Sequence, residues 1–198
     1  MSNAEAARSV PGDGPGFDRL TLATARLLLR PLQAPDAPAL FTIFSDPSVM
    51  RYWSTPPWPS VDTATELIAS DGKAMAEGRY LRLGLERLAD QSLIGVCTLF
   101  ALSPQCRRAE VGYAMAAQAW GCGYMDEALR ALLHHGFSAL ALNRVEADID
   151  PRNQASARSL ERLGFKKEGH LRERWIVAGE VSDTALYGLL RSDWHPRA

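Results

Sequence analysis

The sequence predicts an α+β protein with a mixed, mostly antiparallel central sheet of about seven strands flanked by about four helices. Three observations predict it. Residues 79–100 and 165–190 each read as two strand-like runs joined by a short turn, which is the signature of an antiparallel hairpin. Helical periodicity is inserted between strands without the regular alternation of a wholly parallel sheet. Between them, the stretch from Glu110 to Gly136 passes from a strand through a glycine-bearing turn into a long amphipathic helix.

In chain order, residues 1–20 carry repeated Gly and Pro with little periodicity and read as a flexible tail, leaving residues 21–198 as one domain. Residues 26–32 (RLLLRPL) are a first strand ended by Pro31. Residues 35–44 are a short helix with Leu40, Phe41 and Phe44 inward, followed by an aromatic, proline-rich loop over 46–60. Ser60 or Asp62 suits the cap of the next helix, which runs to about Glu77 with Leu67, Ile68 and Met75 inward. Strands follow at 79–87, where Leu81, Leu83 and Leu85 alternate, and at 93–100, apolar enough for burial on both faces. The central strand carries Val111, Tyr113 and Met115 at alternate positions. In the helix after it, Met125, Leu129, Leu132, Leu133, Gly136, Phe137 and Leu140 share one face. Residues 144–149 are a fifth strand, 153–163 a helix stopped by Gly164, and 165–177 with 181–190 the final antiparallel pair.

Composition excludes several classes. A chain of 198 residues with 46% apolar content suits one globular domain. Lys+Arg 22 against Asp+Glu 23 leaves a net charge of −1, which argues against a nucleic-acid surface. No apolar run approaches the roughly 18 residues of a membrane helix, and no signal peptide is visible. The three scattered cysteines, Cys97, Cys106 and Cys122, form no CxxC pair. They suggest a reducing cytoplasm and no structural metal.

The strand, turn and helix around residues 110–136 make an anion-binding device. The first turn of a helix presents unpaired N–H groups and the positive end of the dipole, and glycines let that backbone approach a phosphate. No Gly-Lys-Ser/Thr follows the turn, so it is not a nucleotide P-loop, and the third glycine of the dinucleotide fingerprint is missing. Glycines serving turn geometry alone remain the bland alternative.

The pattern WGxGYxxEA (Trp120, Gly121, Gly123, Tyr124, Glu127, Ala128) closely resembles the acetyl-CoA-binding motif of the GNAT acetyltransferases. A second block, 143–147, then Asn153-Gln154-Ala155-Ser156, then 160–165 (LERLGF), resembles the companion motif. The nearest branch is the RimJ/RimL-like, ribosomal-protein N-acetyltransferase type, and the resemblance runs from about Leu22 to Trp194.

That resemblance implies a sheet splayed between the fourth and fifth strands, acetyl-CoA as co-substrate with no metal, and direct transfer to an amine in a ternary complex. The backbone of Met115 would pair with the pantetheine arm. The amides of Trp120, Gly121, Cys122, Gly123, Tyr124 and Met125 would hold the pyrophosphate, and Asn153 the arm or a water. Ser156 would protonate the leaving thiolate, against the alternative of a helix cap. Glu110 is the first candidate base, against a salt-bridged strand-edge glutamate. Relatives that take a glutamate from the strand after the LGF segment have Trp175 at that position here. Glu173, two residues away and so on the same strand face, is the second candidate.

Tyr52, Trp53 and Trp58 would line the acceptor entrance, or else anchor their loop to the core. The branch implies a protein N-terminal amine as acceptor. A small-molecule amine (polyamine, amino acid or aminoglycoside) or a non-catalytic acyl-CoA-binding module are the alternatives. A homodimer is an expectation by resemblance alone.

Overall fold

The computed structural model describes residues 16–195. Eight strands form one sheet: β1 (Leu22–Ala23), β2 (Leu27–Arg30), β3 (Leu81–Arg87), β4 (Ser92–Ser103), β5 (Arg108–Met115), β6 (Arg144–Ile149), β7 (Lys166–Val177) and β8 (Glu180–Leu190). Their order across the sheet is β1-β2-β3-β4-β5-β6-β8-β7. Every neighbouring pair is antiparallel except β5 and β6, which run parallel. The helices are α1 (Ala37–Ser45), α2 (Pro47–Met50), α3 (Val61–Ala76), α4 (Tyr124–Ser138) and α5 (Gln154–Arg162).

The sheet has one strand more than expected and the chain one helix more. The extra strand β1 has two residues and the extra helix α2 four, too short for either to show a period in the sequence. Residues 1–15 of the expected tail lie outside the described residues. Within the rest of it, Phe17 is buried and its amide donates to the Met75 carbonyl at 2.7 Å, so the packed chain starts before residue 21. Ser60 occupies the cap position of α3, but its hydroxyl makes no cap bond.

Two cores lie on the two faces of the sheet. Leu129, Leu132, Leu133 and Phe137 of α4 and Leu160 of α5 pack on one face, against Ala109, Val111 and Met115 of β5. Leu40, Ile43 and Phe44 of α1 and Ala64 of α3 pack on the other, against Ala114 and Val96. Burying a leucine side chain contributes about 1.5–3 kcal/mol, so the fully buried Leu129, Leu132 and Leu133 hold α4 firmly against the centre of the sheet. The start of α4 is thereby fixed relative to the end of β5. By contrast, β7 is an edge strand exposed along nearly its whole length.

Candidate functional site

β5 and β6 pair over only three positions: Arg108 with Arg144, Ala109 with Val145, and Glu110 with Glu146. Beyond Glu110 the strands part, because β6 continues along β8 while β5 continues along β4. The backbone facing the gap follows from the ladder. The Ala116 amide donates to Ile94 on the β4 side. Alternation then turns Ala114 and Gly112 toward β4 as well, and leaves the N–H groups of Tyr113 and Met115 facing the gap. The Met115 carbonyl accepts from the Trp120 indole N–H at 2.8 Å.

The turn into α4 puts Gly121 and Gly123 in the left-handed region, at φ +74° and +79°. That conformation disfavours any residue with a Cβ. A Cβ built on Gly121 would meet no atom within 4 Å, so the backbone there is open to a ligand. Glu127 locks this turn in place. Its carboxylate accepts from the Thr24 hydroxyl at 2.6 Å, the Arg26 amide at 2.8 Å and the Arg26 Nε at 2.7 Å. Arg26 also donates to the Cys122 carbonyl at 3.0 Å and stacks over Tyr124.

A cavity of about 1120 Å³ opens from this turn along the gap. Met115, Trp120, Gly121, Gly123, Tyr124, Met125, Asn153 and Ser156 all line it. So do Arg26, Arg130 and Arg162, which the sequence reading missed. Asp126 in the same wall is already paired with Arg130 at 2.8 Å and lies 3.8 Å from Arg162. An open glycine backbone, a helix start and three guanidiniums fit the phosphates of a coenzyme A carrier. Cys122 differs from its neighbours in the motif: its side chain is exposed and it does not line the cavity.

A second cavity, of about 630 Å³, lies between residues 47–57 on one side and the β7–β8 hairpin on the other. Arg51, Tyr52, Trp53, Tyr113, Asn153 and Ser156 border both cavities, so the two meet at these side chains. At the junction the Ser156 and Tyr113 hydroxyls share a hydrogen bond of 2.7 Å. The Asn153 side chain accepts from the Ser156 amide at 3.0 Å. The capping task therefore falls to Asn153, and the Ser156 hydroxyl is turned into the gap. Burial pushes the Tyr113 phenol up to about 12, against the opposing hydrogen bond from Ser156, so it keeps its proton at neutral pH. Tyr113 was read from sequence only as an alternating strand residue. Its hydroxyl partner is 43 residues away, so no local pattern reveals it.

Glu110 lines the second cavity. Burial raises its proton affinity, and the neighbouring charges of Glu146 and Asp148 raise it further against Arg108 and Arg174. Two expected positions lie apart from both cavities. Glu173 does not line either cavity: the β7–β8 register slips between Leu171 and Trp175, where four steps on β7 match two on β8. Glu173 sits inside this bulge at φ +52°, so the two-residue alternation that would align it with Trp175 is broken. Trp175 itself lines the cavity. Trp58 also lies outside both cavities, stacked on Phe44 at 4.5 Å between ring centres, and it anchors the loop to the core.

An open glycine turn and helix start at one end of a split sheet, with a hydroxyl pair where a second cavity joins it, suit a transferase that takes an acyl group from a phosphorylated carrier. The chain is a member of the GNAT acetyltransferases, whose acetyltransferase (GNAT) domain matches residues 26–166. It is therefore an acyltransferase that uses acetyl-CoA. Among its relatives, a putative ribosomal N-acetyltransferase of Bacillus subtilis (strain 168), YdaF, is 36% identical over 136 residues, covering 68% of this chain and 73% of that protein. A spermidine N(1)-acetyltransferase of Vibrio cholerae is 26% identical over 174 residues, covering 88% of this chain and 98% of that protein. A crystal structure of a probable acetyltransferase superposes with a TM-score of 0.81 at 31% identity, covering 88% of this chain and 99% of that one.

Proposed function

We propose that this acetyltransferase modifies the α-amine of a peptide or protein N-terminus. The observation that carries the reading is the charge pattern of the second cavity. Four carboxylates line it, and three have an arginine close by. Asp148 meets Arg174 at 3.3 Å, and Asp150 and Glu180 meet Arg152 at 2.6 Å each. Among the described residues Glu110 has only Arg108, at 3.9 Å. One weakly compensated carboxylate suits one amino group. A polyamine, with several ammonium groups along its length, calls for several free carboxylates. The paired arginines and the aromatic wall of Tyr52, Trp53 and Trp175 suit the uncharged remainder of a peptide. The ribosomal-type relative supports the same reading.

Acetyl-CoA supplies an activated acetyl group as its thioester. Glu110 takes the proton of the acceptor ammonium, directly or through a water, because an amine protonated at neutral pH cannot attack. The Met115 N–H, aimed into the gap, donates a hydrogen bond where negative charge develops on the acyl oxygen, a role typically worth about 3–4 kcal/mol. The Ser156–Tyr113 pair hands a proton to the departing sulfur and is restored by the second proton that the attacking nitrogen sheds as the amide forms. Tyr52 and Trp53 border both cavities and orient the acceptor chain. The reaction belongs to the cytoplasm on this reading, in keeping with the free thiols of Cys97, Cys106 and Cys122.

Thiol release from acetyl-CoA, measured against a panel of N-terminal peptides, polyamines and other free amines, tests the proposal. Turnover with peptides is expected. Turnover with a polyamine alone would overturn the acceptor assignment. Binding of acetyl-CoA with silence across the panel would favour a non-catalytic acyl-CoA module.

A further inference from the structure

We infer that Glu146 and Arg108 are a positioning pair that sets the basicity of Glu110, with Glu146 holding the Arg108 guanidinium away from it. The inference rests on the reading of Glu110 as the base. Its origin is the short parallel register. Glu110 lies beside Glu146 and Arg108 beside Arg144, so four charged side chains occupy a square on one face of the sheet. Within that square Arg108 has a choice of carboxylates. It stands 2.7 Å from Glu146 and 3.9 Å from Glu110.

Glu146 is itself fixed. It accepts from Arg144 Nε at 2.7 Å, and Arg144 continues across β8 to Glu168. That crossing passes over Gly188, where a Cβ would fall 2.6 Å from both Arg144 Nη2 and Glu168 Oε1. Any larger residue at 188 would close the path. The ladder Glu168–Arg144–Glu146–Arg108 thus spans the strands from β7 to β5 and ends one contact short of Glu110.

The consequence for Glu110 follows from Coulomb's law. A guanidinium hydrogen-bonded to a carboxylate favours its charged form and makes it a poorer base, while a neighbouring carboxylate does the reverse. With Glu146 in place, Glu110 keeps the like charge beside it and the cation at a distance. The other charged groups that act on Glu110 are Asp148 on β6 and Arg174 on β7, while Arg51, Asp150, Arg152 and Glu180 line the same cavity. Its neighbour on β4 is Phe100, which brings no charge. Arg174 is taken up by Asp148 at 3.3 Å, which leaves Arg108 as the cation freed by a change at Glu146.

The test uses the full chain with two substitutions of opposite sign. In Glu146→Gln, Arg108 swings to Glu110. The ¹³C titration of the Glu110 carboxyl then moves to lower pH, together with the lower acid-side break in log kcat/KM, and kcat falls by roughly tenfold. In Arg108→Gln, Glu146 keeps its bond from Arg144 while Glu110 loses its nearest cation, and both readouts move to higher pH. Shifts in the same direction in the two variants, or no shift in either, would overturn the inference. The carboxyl titration does not depend on catalysis. A Glu110→Gln variant that keeps full turnover would therefore refute Glu110 as the base without touching the titration result. Arg108→Gln carries the test alone if Glu146→Gln does not fold.

Discussion

Replacing Ser156 with Ala removes one half of the 2.7 Å hydroxyl pair at the meeting point of the two cavities. The helix cap survives, because the Asn153 side chain accepts from the Ser156 backbone amide, which alanine retains. If the pair delivers the proton to the leaving sulfur, its loss costs about 10²–10⁴-fold in turnover. At 1.36 kcal/mol per decade, that is roughly 3–5 kcal/mol of transition-state stabilisation. The same change leaves the half-buried Tyr113 hydroxyl without its partner, a stability penalty of at most about 1–3 kcal/mol. Tyr113→Phe should cost a similar share of turnover, and the double variant little more than either single one, because two groups that act as a unit are not additive. In stability the double variant should recover part of the single penalty, since both ends of the bond are then gone. Thiol-trapping kinetics at saturating acetyl-CoA, titration calorimetry for acetyl-CoA affinity and chemical denaturation measure the three quantities. Turnover within about threefold of the parent in both single variants would refute the proton-delivery role. So would a loss of turnover that merely tracks lost acetyl-CoA affinity.

Two further changes probe the cradle. Gly121→Ala forces a Cβ into a left-handed residue, at a cost of about 1–2 kcal/mol in stability. Because the space above Gly121 is open, the new methyl clashes with nothing in the free protein and instead obstructs the ligand. Acetyl-CoA affinity measured by calorimetry should fall by about tenfold or more, and unchanged affinity would remove Gly121 from the phosphate site. Glu127→Gln tests the lock between α4 and the β1–β2 turn. Burial alone would push the Glu127 carboxyl up, but hydrogen bonds from Thr24 and Arg26 outweigh it and hold the group below its usual 4.5. A carboxyl lowered in the folded state stabilises above its unfolded value, and that contribution is lost as the pH falls through the lower folded value. Denaturation curves at pH 7, 5 and 3.5 should therefore converge for parent and variant at the acid end. With Arg26 47% exposed, the gap at pH 7 should be about 1 kcal/mol. Parallel curves at all three pH values would contradict the lock.

The motif residues that line the first cavity were legible because they are local. Trp120, Gly121, Gly123 and Tyr124 are neighbours in sequence and in space, and a turn, a helix start and an open backbone are properties of a few consecutive residues. Asn153 and Ser156 were legible for the same reason. Where periodicity was strong, as in the Leu129, Leu132, Leu133 and Phe137 stripe, the buried face followed directly. Elements below one period, β1 and α2, carried no such signal.

Glu173 shows where local reasoning stopped. Two residues along a strand return to the same face only if the pairing is regular, and the register slip between Leu171 and Trp175 depends on how β7 meets β8. Trp58 and Trp53 share one aromatic loop in the sequence and both pack on Phe44, Trp58 stacked and Trp53 edge-on, yet Trp53 reaches both cavities and Trp58 neither.

The sequence by itself determined the strand, turn and helix at the mouth of the first cavity, the α+β class and the membership of the family. Each of these rests on short-range spacing that survives without knowledge of partners. Only the tertiary structure decided that Tyr113 meets Ser156, that Arg26, Arg130 and Arg162 join one wall, and that Arg108 chooses Glu146 over Glu110. Those pairings join strands and helices distant in the chain, and the geometry that sets them exists only after the sheet has formed and split.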